Sequence, residues 1–169
     1  MGQLIAILHA DKKWGIGKKN DLMFKLKKDM MFFRNTTKGH VVVMGENTLL
    51  SFPNSKPLKD RTNIVLSLNG NYDGVINVHT FEDFLKVIKD KLQDDDVYVI
   101  GGASIYRQML PYVDFVMLTK VDCDGGAEVF FDNLDENKNF ELKTQTPYED
   151  DNGYKISFTI YKNINKTEL

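Results

Sequence analysis

A single cysteine, Cys123, stands in the 169 residues, so no internal disulfide can form, and no Cys/His cluster has structural-zinc spacing. A reducing compartment is expected. No apolar run reaches the roughly eighteen residues of a membrane span. The N-terminus lacks the basic segment and uninterrupted apolar stretch of a secretory signal, so a cytoplasmic location is expected. Charge of one sign is missing too: Lys+Arg 22 against Asp+Glu 24 leaves a formal net charge of -2. That balance gives no electrostatic reason to expect nucleic acid or an anionic membrane as partner, and leaves small molecules in view. Internal repeats, low-complexity tracts and a Pro/Gly/Ser-rich linker are absent from the sequence.

What is present is the mixture of a globular domain, with 42% apolar and 27% charged residues, too short for two ordinary domains. One domain is expected over residues 1–162, followed by a polar tail at 163–169 that should fray. Short apolar or β-branched runs at Leu4–Leu8, Val41–Met44, Asn63–Ser67, Val97–Ile100 and Phe115–Val121 predict strands. Helical periodicity at Lys25–Thr37, Phe81–Leu92 and Ser104–Leu110 lies between them, which predicts an α/β fold around a largely buried parallel sheet. Phe140–Thr146 and Lys155–Tyr161, separated by the polar Glu149-Asp150-Asp151-Asn152-Gly153, add an antiparallel hairpin and make the sheet mixed.

Asp29 is the residue with most chemical content. Leu26, Met30 and Phe33 share one stripe of its helix, and Asp29 falls at the edge of that stripe. A carboxylate in apolar surroundings needs a cationic or hydrogen-bonding partner, and a ligand can be that partner. The competing reading is a solvated acid favoured by the helix dipole in the first turns.

Three strand ends suggest ligand loops. Ile100-Gly101-Gly102-Ala103-Ser104 joins a strand to a helix start, where close backbone approach and free N–H groups suit phosphate, although paired glycines also make ordinary turns. Met44-Gly45-Glu46-Asn47-Thr48 repeats the pattern, with a helix cap by Asn47 or Thr48 as the alternative. Ser67 ends a third strand, and ligands of open α/β sheets gather beyond such ends. The Gly15–Asp21 loop is either a closing segment or a plain connector, and Arg61 either clamps a carboxylate or is exposed. His9, His40 and His79 are scattered, and no triad is assigned.

Leu4-Ile5-Ala6, Ile16-Gly17 with Asn20, Leu26 with Asp29 and Phe32-Phe33, Val43-Met44-Gly45 with Thr48, Pro57-Leu58 with Arg61, Asn63 to Ser67, Ile100-Gly101-Gly102 with Tyr106, and Leu118-Thr119 follow one another in an order that resembles dihydrofolate reductase over nearly the whole chain. The resemblance implies a mixed, mostly parallel sheet of about eight strands flanked by helices. It also implies reduction of 7,8-dihydrofolate to tetrahydrofolate by NADPH for one-carbon metabolism, in a monomer open to antifolate inhibitors. Asp29 would bind the amino-amide edge of the pterin and support protonation. Ile5, Leu26, Phe33, Phe52, Leu58, Ile100 and Thr119 would line the substrate site, with Arg61 on the glutamate tail. Ile7, Ile16, Gly17, Asn20, Gly101, Gly102, Ala103, Ser104, Ile105 and Tyr106 would meet the nicotinamide and pyrophosphate end of the cofactor. Asn47, Thr48, Ser67, Leu68 and His79 would flank its adenosine end.

Three positions depart from the family pattern. Met23-Phe24 replaces Pro-Trp and lacks the indole donor. Glu46 stands where relatives often carry an arginine for the 2′-phosphate, and Ala127-Glu128-Val129-Phe130-Phe131 replaces Asp-Thr-x-Phe-Pro, so the sheet edge there is expected to differ. Alternatives are a reductase of another pterin-like heterocycle and a non-catalytic nucleotide-binding protein.

Overall fold

The computed structural model describes residues 1–18 and 23–169. In chain order these form β1 (Leu4–Ala10), β2 (Gly15–Gly17), α1 (Lys27–Thr37), β3 (Val41–Gly45), α2 (Glu46–Ser51), β4 (Thr62–Leu66), β5 (Ile76–Val78), α3 (Phe81–Lys91), β6 (Val97–Val99), α4 (Ala103–Met109), β7 (Phe115–Val121), β8 (Val129–Phe130), β9 (Phe140–Gln145), β10 (Glu149–Asp151) and β11 (Tyr154–Asn163). The main sheet runs β10-β11-β7-β1-β6-β3-β4-β5, with β9 also on β11. From β7 to β5 the neighbours are parallel, while β11 is antiparallel to β7 and carries β10 and β9 in succession along its other edge.

Alternation along the strands sorts the core onto two faces. Leu4, Ala6, Val43, Val99 and Leu118 pack with Phe84 and Ile88 of α3 and Ile105 and Met109 of α4. Ile5, Ile7, Val42, Met44 and Val65 pack with Leu49 of α2 and Phe32 and Phe33 of α1. Because both faces are covered, β3 reads as a continuous apolar run, and each buried Val or Met in it contributes about 1.5–3 kcal/mol.

The expected mixed sheet and C-terminal hairpin are present, with corrections in detail. Glu149–Asp151 is a strand, and the turn is Asn152-Gly153, both at positive φ (54° and 90°), as a two-residue type I′ hairpin requires. Gly15–Gly17, expected as loop, pairs antiparallel with Val129–Phe130 in a separate two-stranded sheet. A Cβ at Gly15 would lie 2.3 Å from that of Ala127, so the close approach needs glycine. The 163–169 segment, expected to fray, is tied down: Ile164 N donates to Asn139 O at 2.7 Å, Thr167 N to Pro111 O at 2.9 Å, and Lys166 Nζ to Asp114 at 2.8 Å. Its asparagines and threonine supply contacts that apolar periodicity does not register.

Helix α1 has no cap of its own, since Leu26 precedes it in extended conformation with no side-chain bond. The cap comes from the hairpin instead. Asp151, 2% exposed, accepts from Lys28 N at 2.9 Å and Asp29 N at 3.1 Å through one carboxylate oxygen. A carboxylate there satisfies two orphan donors and complements the dipole. Asn152 Nδ2 adds a bond to Lys25 O at 2.9 Å. Asp151→Ala is expected to destabilise the protein by about 1–3 kcal/mol, and Asp151→Asn by less, because an amide oxygen still accepts. Urea midpoints check this; an alanine variant with an unchanged midpoint would contradict the cap.

Candidate active site

The face of the sheet toward α1 carries the site. Strand alternation sends Ile5, Ile7 and His9 of β1 to that face, and register sets Thr119 of β7 directly beside His9. Helix α1 lies over them and turns Leu26, Asp29, Phe33 and Thr37 inward at i, i+3, i+4 spacing; Leu26 and Thr37 are fully buried, and Asp29 and Phe33 are partly so. Met30, expected on the buried stripe, is 54% exposed. The inward row runs through Asp29 itself, so the acid lies within the stripe and not at its edge.

Asp29 has a partner on each oxygen. Thr119 Oγ1 donates to Oδ1 at 2.6 Å, and His9 Nδ1 stands 3.3 Å from Oδ2. Both side chains of the latter pair are largely buried, and His9 Nε2 is buried without a hydrogen-bond partner among the described residues. Tyr106, a buried residue, donates its hydroxyl to Ile7 O at 2.9 Å; burial, and secondarily the nearby Asp29 charge, push its phenol well above the ordinary tyrosine range. Phe24 is a core residue stacked edge-on against Tyr154, with ring centroids 4.9 Å apart, and its other ring neighbour is His9, with centroids 6.0 Å apart.

Around the acid is an aromatic and aliphatic wall. Phe33, Phe52, Leu58 and Ile100 pack on the cluster of Ile5, Ile7 and Met44. Asn63, 3% exposed, holds Leu58 by accepting from its N at 3.0 Å and donating to its O at 3.0 Å. At the outer end Arg61 is fixed rather than freely exposed. Its Nε donates to Thr37 Oγ1 at 2.8 Å, and its terminal nitrogens donate to Lys59 O at 2.7 Å and Arg34 O at 3.4 Å, with the guanidinium 5.9 Å from the Phe33 ring centre. Partial burial, then repulsion from Arg34, lower its pKa, so an anionic partner is favoured there.

The strand ends converge because β6, β3, β4 and β5 are consecutive and parallel. Gly45 N donates to Gly101 O at 2.9 Å, which locks two of the glycine loops together. Gly101 has φ +134°, and a Cβ on it would lie 3.1 Å from Thr48 Oγ1. This backbone region is one for glycine, and the bare surface facing Thr48 is a cradle that a side chain would fill. Gly45 itself caps α2, so Asn47 and Thr48 lie inside the helix and the capping alternative does not hold. Ser67 Oγ donates to Gly70 O at 3.2 Å, and His79 Nδ1 contacts Ser67 O at 3.1 Å. Tyr72 donates its hydroxyl to Glu46, and that bond, more than burial, raises the Tyr72 pKa. Leu68 is 87% exposed beside this cluster, and Ala103, Ser104 and Ile105 open α4. Ile16 and Gly17 lie in β2, while Asn20 falls outside the described residues.

Sequence reasoning missed His9 and Asp151. The signal for His9 was the period-2 continuation of Ile5 and Ile7 past Leu8; Asp151 gave none, because its partners are 122 and 123 residues away. Among the described residues no group of His, Cys, Asp and Glu is arranged to hold a metal ion, and no helix is long and apolar enough to cross a membrane.

The family model described as dihydrofolate reductase matches residues 3–163. Dihydrofolate reductase of Staphylococcus haemolyticus is 33% identical over 163 residues, covering 94% of each chain, and that of Bacillus subtilis is 31% identical over 157 residues, covering 90% of each. A solved dihydrofolate reductase from Enterococcus faecalis, complexed with NADP(H) and RAB-propyl, superposes with a TM-score of 0.85 at 27% identity, covering 96% of both chains.

Proposed function

Since the chain belongs to the dihydrofolate reductase family, we propose how its own residues carry the reduction of 7,8-dihydrofolate to 5,6,7,8-tetrahydrofolate by NADPH, a reaction that supplies one-carbon metabolism. The observation that carries the reading is Asp29, an acid on an apolar sheet face with Thr119 on one oxygen and His9 beside the other. A carboxylate offers about four acceptor positions, so two remain for the amino-amide edge of the pterin. Ile5 and Ile100 present backbone groups at that edge, and Leu26, Phe33, Phe52 and Leu58 exclude water from the ring.

Protonation of the ring nitrogen next to the carbon that is reduced makes that carbon electrophilic. Asp29 favours the protonated ring electrostatically, and the dry wall around it strengthens the effect. Arg61 has five N–H donors and uses three internally, which leaves a fixed fork for the carboxylate of the glutamate tail. The cofactor supplies the hydride when bound. Ile7, Ile16, Gly17, Gly101, Gly102 and residues 103–106 hold its nicotinamide and pyrophosphate end, the bare Gly101 surface fitting close backbone approach. Asn47, Thr48, Ser67, Leu68 and His79 hold the adenosine end. Small molecules, including inhibitors shaped like the substrate, are the partners of this site.

Asp29→Asn keeps the shape and removes the ionisation. Hydride transfer in a single turnover at neutral pH is expected to fall by about 10²–10⁴-fold, with partial recovery in acid where solvent protonates the ring. A wild-type rate at neutral pH would sink the assignment.

Arg61→Lys keeps the charge and loses the fork together with its three internal bonds. Dihydrofolate is expected to bind about tenfold to a hundredfold more weakly, and NADPH nearly as before. Equal losses for both ligands in titration calorimetry would argue against a tail clamp.

Glu46, held by Tyr72 at the adenosine end, sets an anion where the cofactor's 2′-phosphate is expected. Glu46→Arg should tighten NADPH by about tenfold to a hundredfold at low salt, less at high salt, and leave NADH unchanged. Dissociation constants for both cofactors at two ionic strengths decide it; no NADPH-specific gain would mean that other groups recognise the phosphate.

A further inference from the structure

One group beside the acid touches neither substrate nor cofactor in the reaction as described. His9 lies on β1 beside Thr119, its side chain 10% exposed, with Nδ1 3.3 Å from Asp29 Oδ2. Its other nitrogen, Nε2, is buried and without a partner among the described residues. The surroundings decide which nitrogen of the neutral ring carries the hydrogen. A hydrogen on Nε2 would bury a donor with no acceptor among the described residues and turn the Nδ1 lone pair toward a carboxylate oxygen. A hydrogen on Nδ1 removes both penalties by donating to Asp29.

We propose that His9 is a positioning residue for Asp29. Its Nδ1–H holds Oδ2 while the Thr119 hydroxyl holds Oδ1. The carboxylate torsion is intrinsically broad, so a single anchor leaves the group free to swing. Two anchors, one from each of two adjacent strands, fix its plane and aim the remaining lone pairs at the substrate. The strands themselves are locked in register from Ile5↔Phe115 to Ala10↔Lys120, so the anchors are as rigid as the sheet. This assignment rests on Asp29 being the acid that meets the pterin. Among the described residues, Phe24 beside His9 has no donor, the Tyr106 hydroxyl is committed to Ile7 O, and Asp151 takes backbone donors of α1. None of them substitutes for His9 at Oδ2.

Three variants and one spectrum test the proposal. His9→Leu keeps apolar volume and removes the donor; kcat for dihydrofolate is expected to fall by about tenfold, with NADPH affinity unchanged. His9→Asn, whose amide nitrogen sits near the place of Nδ1, should restore kcat to within about threefold of wild type. In the ¹⁵N spectrum of the imidazole, identified by its loss in His9→Asn, the neutral ring should carry its hydrogen on Nδ1, and Asp29→Ala should abolish that preference. An unchanged kcat in His9→Leu, or a hydrogen on Nε2 in the wild-type protein, overturns the proposal. Failure of the Asp29 reading looks different: Asp29→Asn would then turn over at the wild-type rate while the Nδ1–H signature persisted.

Discussion

The structure depends on keeping one carboxylate on an apolar sheet face. Asp29 lies on the face of Ile5 and Ile7, where an unpaired charge would cost several kcal/mol, and the neighbouring elements hold it: two offset part of that cost at the carboxylate and one fixes the backbone. Strand β7 contributes Thr119, β1 contributes His9, and the hairpin contributes Asp151, which fixes the backbone N–H of Asp29 itself. Removal of any one leaves the others in place but loosens the acid, since they act on different atoms of the same residue. The parallel centre and the antiparallel edge of the sheet are thus joined at a single residue.

The second half of the site follows from strand order. With β6, β3, β4 and β5 side by side and parallel, their carboxyl ends form one rim, and the Gly45–Gly101 bond ties the rim where β6 meets β3. A cofactor laid along that rim reaches the Asp29 face where β1 adjoins β6. The long axis of the site is therefore set by topology, and the few polar groups on it set orientation. Glu46, bonded to Tyr72, puts an acid at the β3 end of this rim.

Much of this was legible in the residues. Runs such as Val41 to Met44 and Phe115 to Val121 announce buried strands because both faces of the sheet are covered, and the expected strands lie within a residue or two of those observed. Gly101 and Asp29 stand out because each breaks a local rule: a glycine at a strand end, and an acid among apolar residues. The pairings of β2 with β8 and of β10 with β11 were not legible, since strands of two or three residues carry no period. The placing of Met30 failed for a related reason: stripe membership depends on which way the helix is rolled, and the Asp151 cap and the sheet decide that roll, not the helix sequence. His9 appeared unattached because Asp29 reaches it only when helix α1 packs over the sheet, a contact that spacing along the chain does not announce.

A crystal structure of the protein with NADPH and folate bound tests the central claim most directly. Asp29 is expected to accept hydrogen bonds from the amino-amide edge of the pterin through both oxygens while keeping its contacts with Thr119 and His9. A pterin seated elsewhere, or bound with Asp29 turned away to solvent, would contradict it.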